Sequence, residues 1–135
     1  WDGYPRERSK LYKILSKSQS SIVLTGDTHN SWISNLYDDV QNFIGIEIAA
    51  PSISSPNSVD IFGSRTEDID KDFIKHNKNL KWANGSGKGF VKLTIESNQI
   101  EAKFLYVSSI KSKHYRLIDN NRFTIKHSKP IKYWT

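Results

Sequence analysis

The chain has 135 residues, a formal net charge of +6, and neither cysteine nor methionine. Its length suits one domain that buries a core without cross-links, and the missing cysteines exclude a disulfide framework, a thiolate nucleophile and a cysteine-based zinc site. No apolar run is long enough for a transmembrane helix or the core of a signal peptide.

Trp1-Asp2-Gly3-Tyr4-Pro5 reads as a turn closed by a proline placed to open a helix. Residues 5–17 carry Leu11, Ile14 and Leu15 at helical spacing among basic residues, which predicts an amphipathic helix packed on a sheet. A strand over 21–25 runs into Gly26, and residues 42–50 read as a second buried strand. The proline-containing stretch 51–58 is a loop. Residues 66–76 predict a helix burying Ile69, Phe73 and Ile74, and Leu80-Lys81-Trp82 a short strand. The sharpest β signal spans 90–107: Ile100, Ala102, Phe104 and Tyr106 alternate with Glu101, Lys103, Leu105 and Val107 after a Ser97-Asn98 turn. That pattern is an antiparallel hairpin with one face toward a core. A further strand is expected around 122–126. Together these elements predict an α/β (α+β) fold, a mixed β-sheet with flanking helices.

Chemistry concentrates at Val23-Leu24-Thr25-Gly26-Asp27-Thr28-His29-Asn30-Ser31-Trp32. A strand ending in glycine presents Asp27 and His29 at i and i+2, spacing that puts both on one face if the backbone stays extended. A carboxylate with a neutral imidazole suits a borderline metal ion, and Trp32 offers an aromatic pocket wall. Gly85-Ser86-Gly87-Lys88-Gly89 lacks phosphate-loop spacing, has no Ser/Thr after its lysine, and reads as a plain connection. His76, His114 and His127 have no acidic partners at ligand spacing, and no Gly-x-Ser-x-Gly elbow exists. Charge is uneven: residues 1–70 hold 6 Lys/Arg against 10 Asp/Glu, residues 71–135 hold 14 against 4. The basic stretch 108–135 interleaves Tyr115, Phe123, Tyr133 and Trp134, so a nucleic-acid- or polyanion-binding module is the alternative function. A chain that opens on Trp1 and has no methionine is expected to be cut from a longer polypeptide, with further ligands or a signal sequence upstream.

In order and spacing, four segments resemble the alkaline phosphatase D (PhoD-like) metallophosphoesterases. They are Trp1-Asp2-Gly3-Tyr4-Pro5, the Gly26-Asp27-Thr28-His29-Asn30-Ser31-Trp32 turn, Glu47 with Pro51-Ser52-Ile53-Ser54-Ser55-Pro56, and Asn79-Leu80-Lys81-Trp82 followed by the hairpin from Gly89. The likeness covers about residues 1–107 of a single region 1–135 and leaves 108–135 as a basic tail. It implies the C-terminal part of a four-layer α/β/β/α metallophosphoesterase domain that hydrolyses phosphomonoesters and phosphodiesters. It further implies Asp27 and His29 as metal ligands, Trp32 near the site, and Trp1, Asp2 and Tyr4 as pocket candidates without defined roles; no catalytic residue is assigned. Iron and calcium, or other divalent cations, are the implied cofactors, with a phosphate ester as substrate and a secreted, periplasmic or envelope location. The family's other ligand segments do not occur here, so the missing N-terminal half of the polypeptide is an expected partner, and the fragment alone is expected to be inactive.

Overall fold

A computed structural model describes residues 3–18, 21–63 and 66–126. Two sheets lie face to face. The first joins β1 (Ile22–Thr25), β2 (Ser31–Tyr37), β3 (Phe43–Ala49) and β4 (Leu80–Asn84) in the order β1-β3-β2-β4, with β1 parallel to β3 and the other pairs antiparallel. The second is an antiparallel meander of β5 (Gly89–Ile95), β6 (Gln99–Val107) and β7 (Leu117–Lys126).

Strand alternation builds the core between them. Ile33, Ile46 and Ile48 point inward from the first sheet, and Ala102, Phe104, Tyr106, Phe123 and Ile125 from the second. Trp82 closes the middle, its ring 4.6 Å from Phe104 and 4.9 Å from Phe123, tilted as aromatic quadrupoles prefer. Gly45 is required where β1 begins beside β3, because a Cβ there would collide with the Ser21 carbonyl that accepts from Ile46 N–H.

Helices cover the outer face of the first sheet, giving an α/β/β stack. In α1 (Pro5–Leu15) proline occupies the first turn and Lys13 the last. Ile14, expected on the packed face, is 64% exposed, and no residue of α1 is fully buried. The helix lies near β3, and the neighbouring Leu11 and Leu15 are half-buried. A short α2 (Ser58–Phe62) follows a reciprocal cap, and α3 (Thr66–His76) lies along β4.

The predicted helices, the first strand, the 43–49 strand and the hairpin are present, but β2 and α2 were not anticipated. Both faces of β2 mix polar and apolar residues, so its period is hidden. β7 is longer than expected, beginning at Leu117, and its Phe123 and Ile125 are core residues within the basic stretch. Because Phe104 is fully buried against two rings, Phe104→Ala should lower the unfolding free energy by about 3–5 kcal/mol in urea titration. Ile95→Thr, at an exposed position, should stay within about 0.5 kcal/mol of the parent.

Candidate active site

Strand directions bring the ends of β1, β3 and β4 and the start of β2 to one edge of the sandwich. Three loops meet there: residues 26–30, 50–57 and 85–88. Loops carry backbone groups that strands no longer satisfy, and here they satisfy one another. Ala50 N–H donates to the Thr25 carbonyl at 2.9 Å, and Gly89 N–H to Ser52 at 3.0 Å. Val59 N–H donates to the Gly85 carbonyl at 3.2 Å, and Ser58 N–H to the buried Asn30 Oδ1 at 3.1 Å. Asn57, 1% exposed, donates from Nδ2 to the Ser86 carbonyl at 3.0 Å and exchanges bonds with Asp60 in a capping box.

The Asp27–His29 segment is not extended. Thr28 N–H closes a turn onto the Gly26 carbonyl at 2.8 Å around Asp27, whose φ is 68°, and His29 follows at φ 60°. Left-handed backbone at two non-glycine residues costs energy and persists where surroundings over-determine it. Strand alternation therefore does not aim these side chains; the turn does. Asp27 is exposed and His29 half-buried. The His29 ring sets Nδ1 2.7 Å from the Pro56 carbonyl oxygen. A carbonyl only accepts, so Nδ1 carries the proton, and in the neutral ring Nε2 keeps its lone pair.

Trp32 points to the opposite, outer face of the first sheet, packed on Phe73 with centroids 5.8 Å apart and its Nε1 buried without a partner among the described residues. It lines a cleft of about 740 Å³ between α1 and α3, together with Arg8, Thr25, Thr28 and Glu47. Thr25 Oγ1 donates to Glu47 there at 2.8 Å. Gly26 and Thr28 reach this cleft, whereas Asp27 and His29 do not line it. Tyr4 is 71% exposed beside α1. Trp1 and Asp2 lie outside the described residues.

Behind the loops, Lys88 Nζ donates to the Ser55 carbonyl at 2.7 Å and to Asp60 Oδ2 at 2.6 Å. The Lys88 ammonium, followed by the Asn57 N–H, holds the Asp60 carboxyl below the usual carboxylate range. Asp70 of α3 accepts from Gly85 N–H at 3.0 Å, yet partial burial pushes its carboxyl up, outweighing that bond. Tyr106 donates to Ser31 Oγ at 2.8 Å, and burial raises its phenol. Gly87 is forced, since a Cβ would enter the Tyr106 ring. Sequence reasoning took Gly85–Gly89 as a plain connection and missed Asn30, Asn57 and Lys88. Of these only Asn57, with Asp60 three residues on, leaves a local signature.

The described residues contain no helix long and apolar enough to cross a membrane, and no group of three or more His, Cys, Asp or Glu arranged for a metal. The architecture is an α/β/β stack: a two-sheet sandwich with helices on one outer face, bearing an Asp–His turn where its loops converge. A family model of the PhoD-like phosphatases matches residues 1–104, and the chain belongs to that family. Alkaline phosphatase D of Bacillus subtilis (strain 168) is 33% identical over 111 residues, covering 77% of this chain and 18% of that protein. A solved structure of PhoD superposes with a TM-score of 0.75 at 23% identity, covering 100% of this chain and 27% of its own. This chain thus spans about a fifth of the curated relative and about a quarter of the solved one.

The raised Asp70 carboxyl gives a pH signature. Ionising it costs more in the folded state than in the unfolded one, so its contribution to stability falls as pH rises above 3.8. Asp70→Asn keeps an acceptor for Gly85 N–H and should reduce the loss of stability, read in urea midpoints, as pH rises through and above 3.8.

Proposed function

We propose that this chain is part of a metal-dependent phosphatase acting on phosphomonoesters and phosphodiesters, with Asp27 and His29 as metal ligands. The observation that carries the reading is the His29 Nδ1–Pro56 bond of 2.7 Å, which reserves Nε2 for coordination next to an exposed carboxylate. A backbone carbonyl on the far nitrogen is the arrangement that orients ligating imidazoles. Oxygen and imidazole donors suit iron, with calcium or another divalent cation as a partner ion. Bound ions would supply Lewis-acid polarisation of phosphoryl oxygens and an acidified water, which ester hydrolysis needs near neutral pH. Asp27 contributes a hard anionic donor, His29 a fixed neutral one, and the strained turn holds both before any ion arrives.

Two donors make one arm of such a site, so the fragment alone is inactive and its remaining ligands come from further polypeptide. The edge position of β1 supports this. Leu24, on the face that packs toward the second sheet, is 61% exposed there, a surface suited to docking another segment. Trp32 remains the candidate pocket wall, reached from the turn through Gly26 and Thr28. A secreted, periplasmic or envelope location accompanies this reading by resemblance.

Titration calorimetry with Mn²⁺ near neutral pH should show weak saturable binding that Asp27→Asn or His29→Ala removes and that acid weakens, because protons compete for both donors. The same preparation should release no p-nitrophenol from p-nitrophenyl phosphate, whereas a polypeptide extended to include the remaining ligands should, and should lose that activity with His29→Ala. Release by residues 1–135 that His29→Ala abolishes would contradict the incomplete site.

A further inference from the structure

The peptide group between Pro56 and Asn57 is held at both ends. Its carbonyl oxygen accepts from His29 Nδ1 at 2.7 Å, and its N–H donates to Asp60 Oδ2 at 3.0 Å. That same Oδ2 accepts from Lys88 Nζ at 2.6 Å. A second grip lies one residue earlier, where Lys88 Nζ donates to the Ser55 carbonyl at 2.7 Å. Pro56 fixes φ between these two carbonyls, so anchoring Ser55 restricts where the Pro56 oxygen points. The Lys88 side chain is only 11% exposed, although it belongs to the turn before β5 and not to the His29 loop. A nearly buried ammonium needs its partners, and here both partners are parts of the loop that orients the imidazole.

We propose that Lys88 is a positioning residue for the metal site, acting on His29 through the Pro56–Asn57 peptide. The inference rests on the reading of His29 as a ligand through Nε2. Lys88 fixes the two groups that aim the Pro56 oxygen, and that oxygen selects the Nδ1–H tautomer. Chains of hydrogen bonds reinforce one another, and the outer partners of ligating histidines typically govern metal affinity by about 10–100-fold. Lys88→Gln keeps polarity but is uncharged and one bond too short to reach; Lys88→Arg keeps the charge and several donors.

Long-range ¹H–¹⁵N spectra of the 135-residue chain, recorded where the ring is neutral, read the His29 tautomer without any metal. The parent should show protonated Nδ1 and bare Nε2. Lys88→Gln should show a mixture of tautomers and at least about tenfold weaker Mn²⁺ binding, followed by His29 line broadening, and Lys88→Arg should restore most of both. If Lys88→Gln loses its fold by circular dichroism, Asp60→Asn, which breaks only the carboxylate link, should shift tautomer and affinity in the same direction. Parent-like tautomer and affinity in folded Lys88→Gln, or in Asp60→Asn where that stands in for it, would overturn the inference. Mn²⁺ that leaves parent His29 unbroadened would refute the ligand reading while the tautomer arm still decides whether Lys88 sets the ring.

Discussion

The site depends on one backbone carbonyl, that of Pro56, held 2.7 Å from His29 Nδ1. Without it the imidazole of a half-exposed turn would sample both tautomers and several rotamers. With it, Nδ1 is committed to the protein and Nε2 keeps its lone pair. The geometry is not local to the Asp–His turn. It requires the 50–57 loop to stand in one place, and that loop is tied by Ser52 to Gly89, by Asn57 to Ser86, and by Lys88 to Ser55 and Asp60. The left-handed backbone at Asp27 and His29 persists because the loops on either side are already fixed.

Behind the loops, the sandwich supplies rigidity. Seven of the eight residues of the central cluster are aliphatic or phenylalanine side chains interleaved from two sheets, with Trp82 wedged between two rings. Such a core has few ways to relax, so the strand ends, and the loops that leave them, are set to a narrow position. Tyr106 joins this core to the site edge: its ring packs in the cluster and over Gly87, while its hydroxyl reaches Ser31 at the start of β2. The same residue that fills the centre therefore fixes where the Asp–His turn rejoins the sheet.

Legibility in the sequence followed the range of the interactions. The β5–β6 hairpin was readable because buried Ala102, Phe104 and Tyr106 recur at every second position, with Glu101 and Lys103 between the first of them, and the turn is adjacent. β2 was not, because its buried face includes Ser31 and Asn35, and Ser31 is satisfied by a tyrosine 75 residues away. Asp27 and His29 could be singled out by type and spacing, yet an extended backbone predicts the wrong aim, since neither residue announces positive φ as glycine would. Trp32 faces the cleft between α1 and α3 because it is the second residue of β2, and alternation resumes with Ser31 turned inward to Tyr106. Lys88 looked like part of a flexible connection; only the fold brings its ammonium under the loop from the other side. The family motifs single out the Asp–His turn, while the bonds that give it shape lie between segments that no local pattern links.

In the proposed site the turn presents an Asp27 oxygen and His29 Nε2 together, with Nδ1 kept on the Pro56 carbonyl. Crystals soaked in cobalt(II), a probe that accepts both oxygen and imidazole donors, test it most directly through anomalous scattering. The account predicts a peak within bonding distance of an Asp27 carboxylate oxygen and His29 Nε2, with the Nδ1–Pro56 bond intact. A peak coordinated through Nδ1 with that bond broken, or cobalt bound only at other residues, would contradict it.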